Sequence, residues 1–449
     1  MYLARVSGFF LAVMLTCSAP CRAQAPAAPQ SETSPESIAQ LLEHVRGQDA
    51  RLKQLEAEVA RLKGEHSHLP AAAAPMPNAE AAVPPQVGAP AEAPPPPISP
   101  LETSDEGPEH TMKMPGNGPA LKIRAFADFD LGFGPEANPL IFPLPMPVHN
   151  TFQIGEFDLF LSSKLSRQVS AITELVIGSD QTNAWGVDIE RLQITFKPSP
   201  YLEISGGRYH TAIGYYSTAF HHGTWFQTAT GRPFMYFFED SGGILPIHSV
   251  GFTATGLVPR TGPLELHWIA EVGNGRSSNA SLAPVQNFLA DKDHKDFNIA
   301  AYIKPDWIPG LQIGGSYYRD RLVPPGILHV NQAIGSFYVV YNNSAWEFLN
   351  EAVLITNKMD AFPKSFHSPL AYTQVSRKFG AYRPYFRFQY VNVPANDPVN
   401  VFKGRYEGPS FGLRMDFTDY AALKTQYNRL YQRGPSPQNG LDLQVAFTF

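Results

Sequence analysis

The chain has 449 residues, of which 17% are charged, and its formal net charge is −5 at neutral pH. No apolar run reaches the roughly 18 residues that a transmembrane helix needs, so the sequence excludes a helical membrane protein. The mild acidity gives no reason to expect nucleic acid as a partner.

Residues 1–25 are predicted to be a secretory signal peptide. Arg5 supplies the positive charge, Gly8–Leu15 form the apolar core, and small residues suitable for cleavage follow. A lipoprotein signal is the alternative because of Cys17 and Cys21, but neither follows the usual run of Leu and two small residues. Removal of this segment would leave a mature chain without cysteine, which needs no disulfide bond.

Residues 26–66 are predicted to form a short periplasmic coiled coil. Ser34 and Pro35 are typical of a helix start. Four heptads follow, with seam residues Ile38, Leu41, Val45, Gln48, Leu52, Leu55, Val59 and Leu62. This pattern predicts a homo-oligomer, either a trimer or a dimer, and a lone amphipathic helix is the alternative.

Residues 67–118 are rich in Ala and Pro and include the run Pro94–Pro97. Such a composition cannot form a packed core, so this segment is predicted to be a disordered, semi-extended linker. A helix held on such a linker could also engage the cell wall. That possibility gives a second hypothesis, in which the protein is an envelope tether and its membrane part an anchor.

From residue 119 to residue 449 apolar and polar residues alternate, as in β-strands with one apolar face. The last strand, Gly440–Phe449, places Leu and Phe residues on one face and ends on an aromatic residue. This pattern predicts an all-β fold, a 16-stranded antiparallel transmembrane β-barrel embedded in outer-membrane lipid. The predicted strands lie near 121–133, 152–163, 169–178, 187–197, 201–210, 248–257, 264–273, 295–305, 309–319, 333–342, 345–355, 368–379, 384–393, 407–417, 420–430 and 440–449.

Short connections alternate with longer ones, as expected for periplasmic turns and outer loops. A large soluble β-sandwich is the alternative, but it would not sort its connections by length in this way. The longest connection, residues 211–248, is rich in aromatic residues and is predicted to fold into the barrel as a constriction loop. An outer-surface flap or a contact between trimer subunits is the other interpretation.

Strand parity also predicts which charged residues face the lumen. A basic wall of the pore is expected from Arg124, Arg387, Arg414 and Lys424. The acidic residues expected to line the pore are Asp128, Asp130, Glu156, Asp158 and Glu174. The charged and polar residues expected on the constriction loop are His221, His222, Arg232, Glu239 and Asp240. These charges either place a transverse field across the aperture or pair with one another to hold the loop.

Two stretches of the sequence resemble a known family. RYHTAIGYYSTAFHHGTWFQTATGRPF with EDSGGILPIHSVG, and YAALKTQYNRLYQR with GLDLQVAFTF, are similar to bacterial porins related to the phosphate-selective porins. The resemblance implies a sixteen-stranded, usually trimeric porin whose third loop forms the constriction, sometimes preceded by a coiled coil. Phosphate-selective members use Lys at the narrow point, whereas this loop has no Lys and a single Arg, Arg232.

Motifs for catalysis and for cofactors are absent from the sequence. His221 and His222, near His210 and His248, have no carboxylate or Cys at ligand spacing, so no metal site is expected. An outer-membrane esterase would need an exposed Ser–His pair, and the outward faces are almost purely apolar. The sequence therefore predicts a passive outer-membrane channel, without enzyme activity or cofactor, for small hydrophilic or anionic solutes.

Overall fold

The computed structural model describes residues 110–113, 119–134, 151–179, 184–220, 223–239, 243–278, 288–324, 329–360, 364–400, 404–434 and 436–449. The predicted signal peptide, coiled coil and most of the predicted linker lie outside these residues. A membrane-crossing helix is not found among the described residues.

Sixteen antiparallel strands, β2 to β17, form the body of the described structure. Each overlaps one of the sixteen predicted strands. They are β2 (Ala120–Phe133), β3 (Thr151–Lys164), β4 (Val169–Ser179), β5 (Trp185–Ser199), β6 (Leu202–His210), β7 (His248–Leu257), β8 (Leu266–Gly273), β9 (Asp296–Ile303), β10 (Leu311–Leu322), β11 (Val330–Asn342), β12 (Trp346–Met359), β13 (Ser365–Arg377), β14 (Tyr382–Asn392), β15 (Arg405–Thr418), β16 (Ala421–Gln432) and β17 (Gln438–Thr448).

Each strand pairs with the next one along the chain, and β17 pairs with β2, which closes the barrel. At this seam Leu441 lies opposite Phe133 and Thr448 lies opposite Phe126. The carboxyl-terminal Phe449 continues the ladder, because its N–H and C=O groups exchange hydrogen bonds of 3.0 Å with Ala125. Closure leaves no free sheet edge over the residues in which β17 and β2 are paired.

A seventeenth strand, β1 (His110–Lys113), lies in the segment that the sequence predicts to be a disordered linker. It pairs with residues 120–123 of β2, directly beyond the point where β17 ends. Because β3 already occupies the other edge of β2, β1 extends the seam on the β17 side. These four residues supply hydrogen bonds to an otherwise open edge of β2.

The alternating residues occupy the two faces that parity predicts. Along β17, Asp442, Gln444, Ala446 and Thr448 are buried, whereas Leu441 and Phe449 are exposed. Large apolar side chains on other strands are also exposed, including Phe152 and Val187 at 68% each. The barrel thus has an apolar outer face and a polar inner face.

The connections differ in one respect from the predicted alternation of short and long. Strands β12 and β13 extend into the predicted loop 356–367, with Lys358 opposite Ser365, so that connection is short. The same holds for β4 and β5, where Ser179 lies opposite Trp185. Cross-strand hydrogen bonds continue beyond the residues in which alternation is visible, so the sequence pattern underestimates these strands.

We expect deletion of Phe449 to weaken the seam, because two backbone hydrogen bonds are lost. At about 0.5–1.5 kcal/mol each, the barrel should lose on the order of 1–3 kcal/mol of stability. The fraction of refolded protein that keeps the compact, heat-modifiable gel mobility measures this loss. Phe449→Ala, which keeps the backbone bonds, is the control and should be affected less; equal loss in both variants would show that the ring is what matters.

Candidate functional site

The longest segment between two strands joins β6 to β7 and runs from residue 211 to residue 247. Its described residues include one helical turn, Tyr216–Ala219, and two 3-10 turns, Thr224–Phe226 and Phe234–Tyr236. The two ends are held together by a hydrogen bond of 2.8 Å from the Thr211 N–H to the Ile247 carbonyl. We call this segment the inner loop, because its partners lie on the polar face of the barrel.

The first part of the inner loop donates backbone N–H groups to two carboxylates of the barrel. The Ala212 N–H lies 3.0 and 3.1 Å from the two oxygens of Glu271. The N–H groups of Tyr215 and Tyr216, at the start of the helical turn, donate to Glu351 at 2.6 and 3.0 Å. The first N–H groups of a helix have no hydrogen-bond partner within the helix. Glu351 accepts from two of them, which would otherwise be buried without a partner at a cost in stability.

Glu351 also accepts from two phenol groups. The hydroxyls of Tyr236, in the loop, and Tyr372, on β13, each lie 2.6 Å from a carboxylate oxygen. The Tyr236 ring in turn stacks on Tyr216, with centroids 5.5 Å apart. One buried carboxylate therefore joins two parts of the inner loop to each other and to the barrel wall.

Glu271 and Glu351 are absent from the residues that the sequence analysis singles out. Both lie in strands, β8 and β12, at positions that alternate with exposed apolar residues such as Leu354. Their inward parity is therefore a signal present in the sequence. Parity does not show, however, that loop N–H groups are their partners.

The middle of the inner loop presents backbone carbonyl groups to three cations of the barrel. Arg387, on β14, donates to the Gly231 carbonyl at 2.7 Å and to the Gln374 side chain at 2.7 Å. Lys424, on β16, donates to the carbonyls of Thr224 and Ala229. The exposed fractions of Arg387 and Lys424 are 1% and 0%.

Arg414, on β15, is the third of these cations. Its Nη1 donates to the carbonyls of Trp225 and Gln227 at 2.6 and 3.1 Å, and its Nε donates to Asp416 at 2.6 Å. Lys424 lies directly opposite Arg414 in the β15–β16 ladder. We call Arg387, Arg414 and Lys424 the cation cradle, because together they hold the loop from residue 224 to residue 231.

Two members of the expected basic wall, Arg387 and Lys424, are buried beneath the inner loop. Both donate to loop carbonyl groups. Arg414 also pairs with a carboxylate, that of Asp416. Arg124, the fourth predicted member, is partly exposed on β2.

Uncharged and acidic side chains of the barrel complete the attachment. The Thr224 hydroxyl donates to Asp128 at 3.1 Å, and the Thr230 hydroxyl donates to Asp442 at 3.2 Å. Aromatic contacts add apolar burial, and the Phe226 ring lies 4.7 Å from that of Phe126. The attachment therefore includes both strands of the seam, β2 and β17.

The predicted acidic lining lies on the expected inner face, but most of it is buried. Asp128, Asp130, Asp158 and Glu174 are buried, whereas Glu156 is partly exposed. Glu174 forms an ion pair with Arg191 on the neighbouring strand, at 2.5 Å. These carboxylates consequently serve in internal contacts as well as in lining the barrel.

Of the predicted loop residues, His221, His222 and Asp240 lie outside the described residues. Arg232 donates to the carbonyls of Tyr236 and Phe220, at 2.8 and 3.3 Å, and its guanidinium lies 4.0 Å from the Phe238 ring centroid. Burial lowers the pKa of Arg232 below its ordinary value, although Tyr216 acts in the opposite direction. Arg232 thus braces the loop against itself.

Glu239 is buried and accepts hydrogen bonds from His248, the first residue of β7. The backbone N–H and the ring Nδ1 of His248 lie 2.8 and 3.0 Å from its two carboxylate oxygens. Burial raises the pKa of Glu239, but the charge of His248 and its hydrogen bonds outweigh burial and lower the pKa overall. The carboxylate therefore ties the end of the inner loop to β7.

Gly214 marks the tightest point of the attachment. Its φ is +80°, a conformation that favours glycine, and its N–H donates to Ser336 at 3.1 Å. A Cβ added here would collide with the Tyr236 hydroxyl and the Glu351 carboxylate. The approach of the loop to the barrel wall therefore requires glycine at this position.

We expect Gly214→Ala to destabilise the inner loop, because it adds both backbone strain and a collision at Glu351. The strain alone should cost about 1–3 kcal/mol. Thermal unfolding of the refolded barrel in detergent measures this loss. Gly335→Ala is the matched control, since a Cβ on Gly335 would meet nothing within 4 Å. Equal melting temperatures for the two variants would contradict the proposed close packing.

No protein-family description matches the chain. No curated protein matches it either.

Solved structures do match, and several of them are outer-membrane porins. The anion-selective porin from Comamonas acidovorans is 12% identical, with a TM-score of 0.51, and the match covers 74% of this chain and 100% of that one. The outer membrane channel DcaP of Acinetobacter baumannii is 9% identical, with a TM-score of 0.51 and coverage of 74% and 98%. Salmonella typhi OmpF, in complex with daunomycin, is 10% identical, with a TM-score of 0.50 and coverage of 75% and 100%. These structural matches show a shared barrel fold.

Proposed function

We propose that this protein is an outer-membrane porin, a passive diffusion channel for small hydrophilic solutes, anions among them. The observation that carries the proposal is a closed sixteen-stranded barrel whose polar inner face holds a long loop. A barrel of this strand number encloses space for an aqueous channel. A segment attached inside it is suited to reduce the channel to a size that discriminates among solutes.

The outer face supports the outer-membrane location. Exposed apolar side chains recur around the barrel, among them Phe152, Val187, Phe252 and Phe337. Such a surface is stable in lipid and would aggregate in water. The predicted signal peptide is consistent with export to that membrane.

The inner loop is proposed to be the constriction. Its hydrogen bonds reach strands on both sides of the seam, from Asp128 on β2 to Glu351 on β12. Because many separate contacts hold it, the loop can form a fixed aperture and need not move during transport. Passive diffusion requires no moving part.

Arg414, the partly exposed member of the cation cradle, supports the inclusion of anions. Arg387 and Lys424 are covered by the inner loop and contribute less to the field that a solute meets. A porin of the same fold from Comamonas acidovorans is anion-selective. Carboxylates are also numerous on the inner face, so the sign of the selectivity has to be measured.

A homotrimer is the proposed assembly. The heptad seam from Ile38 to Leu62 supports oligomerisation, and the resemblance to trimeric porins favours three subunits. The seam lies outside the described residues, so its support for the assembly comes from the sequence. The coiled coil would then hold three barrels together from the periplasmic side.

The direct test is conductance of the refolded protein in a planar lipid bilayer, with the reversal potential recorded under a salt gradient. Ohmic steps that close in threes are expected from a trimeric channel. The sign of the reversal potential reports whether anions or cations pass more readily. Absence of conductance from correctly folded, heat-modifiable barrel would falsify the channel proposal.

We expect Lys424→Met to raise the single-channel conductance or make it fluctuate. The variant removes the donor for the carbonyls of Thr224 and Ala229, and each buried acceptor left unsatisfied costs about 1–3 kcal/mol. A loosened inner loop should obstruct the channel less. Lys197→Met is the matched control, because Lys197 is exposed on β5 and pairs with Glu203 on β6 at 3.2 Å. If both variants conduct like the wild type, the loop segment 224–231 does not set the aperture.

A further inference from the structure

A cluster of three buried side chains lies where the inner loop leaves the barrel wall and rejoins it. Its members are Glu190 on β5, His210 at the end of β6 and His248 at the start of β7. One ligand atom of each residue lies within 4.8 Å of those of the other two. We propose that this cluster, the root cluster, binds a divalent transition-metal ion of the Zn²⁺ class.

The donor set selects the kind of metal. Two imidazole groups and one carboxylate are typical ligands of Zn²⁺ and of neighbouring transition metals. Magnesium and calcium ions prefer sites made of oxygen atoms. The root cluster should therefore discriminate in favour of Zn²⁺ over Mg²⁺ and Ca²⁺.

The orientation of His248 matches that of a metal-binding histidine. Its Nε2 lies 2.7 Å from a carboxylate oxygen of Glu190, on the side facing the cluster. Its Nδ1 lies 3.0 Å from Glu239, so a second carboxylate fixes the opposite side of the ring. Carboxylate contact to the nitrogen that does not bind the metal is a common feature of histidine ligands, because it fixes the tautomer and raises basicity.

His210 is oriented in the corresponding way by the backbone. Its Nδ1 lies 3.0 Å from the Ser217 carbonyl, which accepts a hydrogen bond from a protonated Nδ1. In the neutral ring the other nitrogen, Nε2, then carries the lone pair that binds a metal. The two imidazole rings are not stacked but meet at 67°, with centroids 4.8 Å apart.

The distances require a modest adjustment for a metal to bind. With metal–ligand bonds of about 2.0–2.2 Å, ligand atoms of a tetrahedral site lie about 3.4 Å apart. The separation of 2.7 Å between Glu190 and His248 is shorter than this value, and the limit of 4.8 Å for the cluster is longer. Side-chain shifts on the order of 1 Å, without a change of fold, would bring the three donors to this spacing.

The surrounding charges favour a cation. Glu190 and Glu239 contribute two negative charges, and Arg208, whose Nη2 lies 3.8 Å from the Glu190 carboxylate, contributes one positive charge. The apolar Phe238 ring stacks 5.3 Å from the His248 ring. In this partly apolar, buried setting the two carboxylates attract a divalent ion, which would take the place of any proton on the Nε2 atom of His248.

The place of the cluster gives the metal a structural role. His210 and His248 are cross-strand partners that flank the inner loop. Their outer contacts, Ser217 and Glu239, are loop residues. A bound ion would therefore join both ends of the loop, two of its internal residues and the wall at β5 into one unit.

The test uses the full refolded protein without a histidine tag, stripped with a chelator and then titrated with Zn²⁺. Calorimetry and elemental analysis should give one equivalent of zinc per chain, without comparable binding of Mg²⁺. Glu190→Gln and His210→Gln should abolish this binding. Glu239→Gln, which changes only the outer contact of His248, should weaken it about 10–100-fold.

Two control variants make the result specific. His267→Gln alters a histidine on β8 that stacks on Tyr302, away from the root cluster, and should bind zinc like the wild type. The double change of His221 and His222 to Gln tests the other histidines near the loop and should also leave binding intact. Heat-modifiable mobility of every variant verifies that the barrel has folded.

The proposal is overturned if folded wild-type protein takes up no stoichiometric zinc, or if Glu190→Gln and His210→Gln still bind it. In the first case the root cluster is only a network of ion pairs and hydrogen bonds among its side chains. Binding that disappears in the His221 and His222 variant places the metal elsewhere and also contradicts the proposal. Because metal uptake is measured without conductance, the outcome is independent of the channel test.

Discussion

The need to satisfy buried backbone polar groups controls how the inner loop is held. A strand of the barrel bonds to its neighbours, but most of the inner loop lies outside the strand ladder, so its N–H and C=O groups need other partners. Here the barrel wall supplies them with side chains of opposite kinds. Carboxylates such as Glu351 accept from the first part of the loop, and cations such as Lys424 donate to its middle part.

This division has an electrostatic consequence for the inner face. Charges that parity places in the lumen are in large part used internally. Arg387 illustrates the point, since its guanidinium is bound to Gly231 and Gln374 and is almost completely covered. A count of inward-facing charges therefore overestimates the charge that a passing solute meets. The path of the loop determines which of these charges remain exposed.

The strands and their faces could be predicted from the sequence because the period-two pattern is local. All sixteen strands and the orientation of β17 follow from it. The short strand β1 could not, because HTMK has no alternating pattern and pairs only with the unoccupied edge of β2. The side-chain pattern also underestimates the lengths of β12 and β13, because backbone hydrogen bonds between strands do not depend on the side-chain pattern.

The site could be predicted only in part. Asp128, Arg387 and Lys424 are buried and bound to the inner loop, but these loop partners are distant in sequence and depend on the loop path. The root cluster shows the same limitation, because the inner loop separates Glu190 and His210 from His248 along the chain. Residue type and parity identify inward positions, whereas tertiary folding determines which of them meet.

The direct opposition of Arg414 and Lys424 bears on the order of assembly. Like charges at paired positions of neighbouring strands repel each other, and loop carbonyls from residues 224 to 229 offset this repulsion. A barrel that closed around an empty interior would hold these two cations side by side without those carbonyls. Docking of the loop therefore lowers the electrostatic cost of pairing β15 with β16, which favours assembly of this part of the wall with the loop in place.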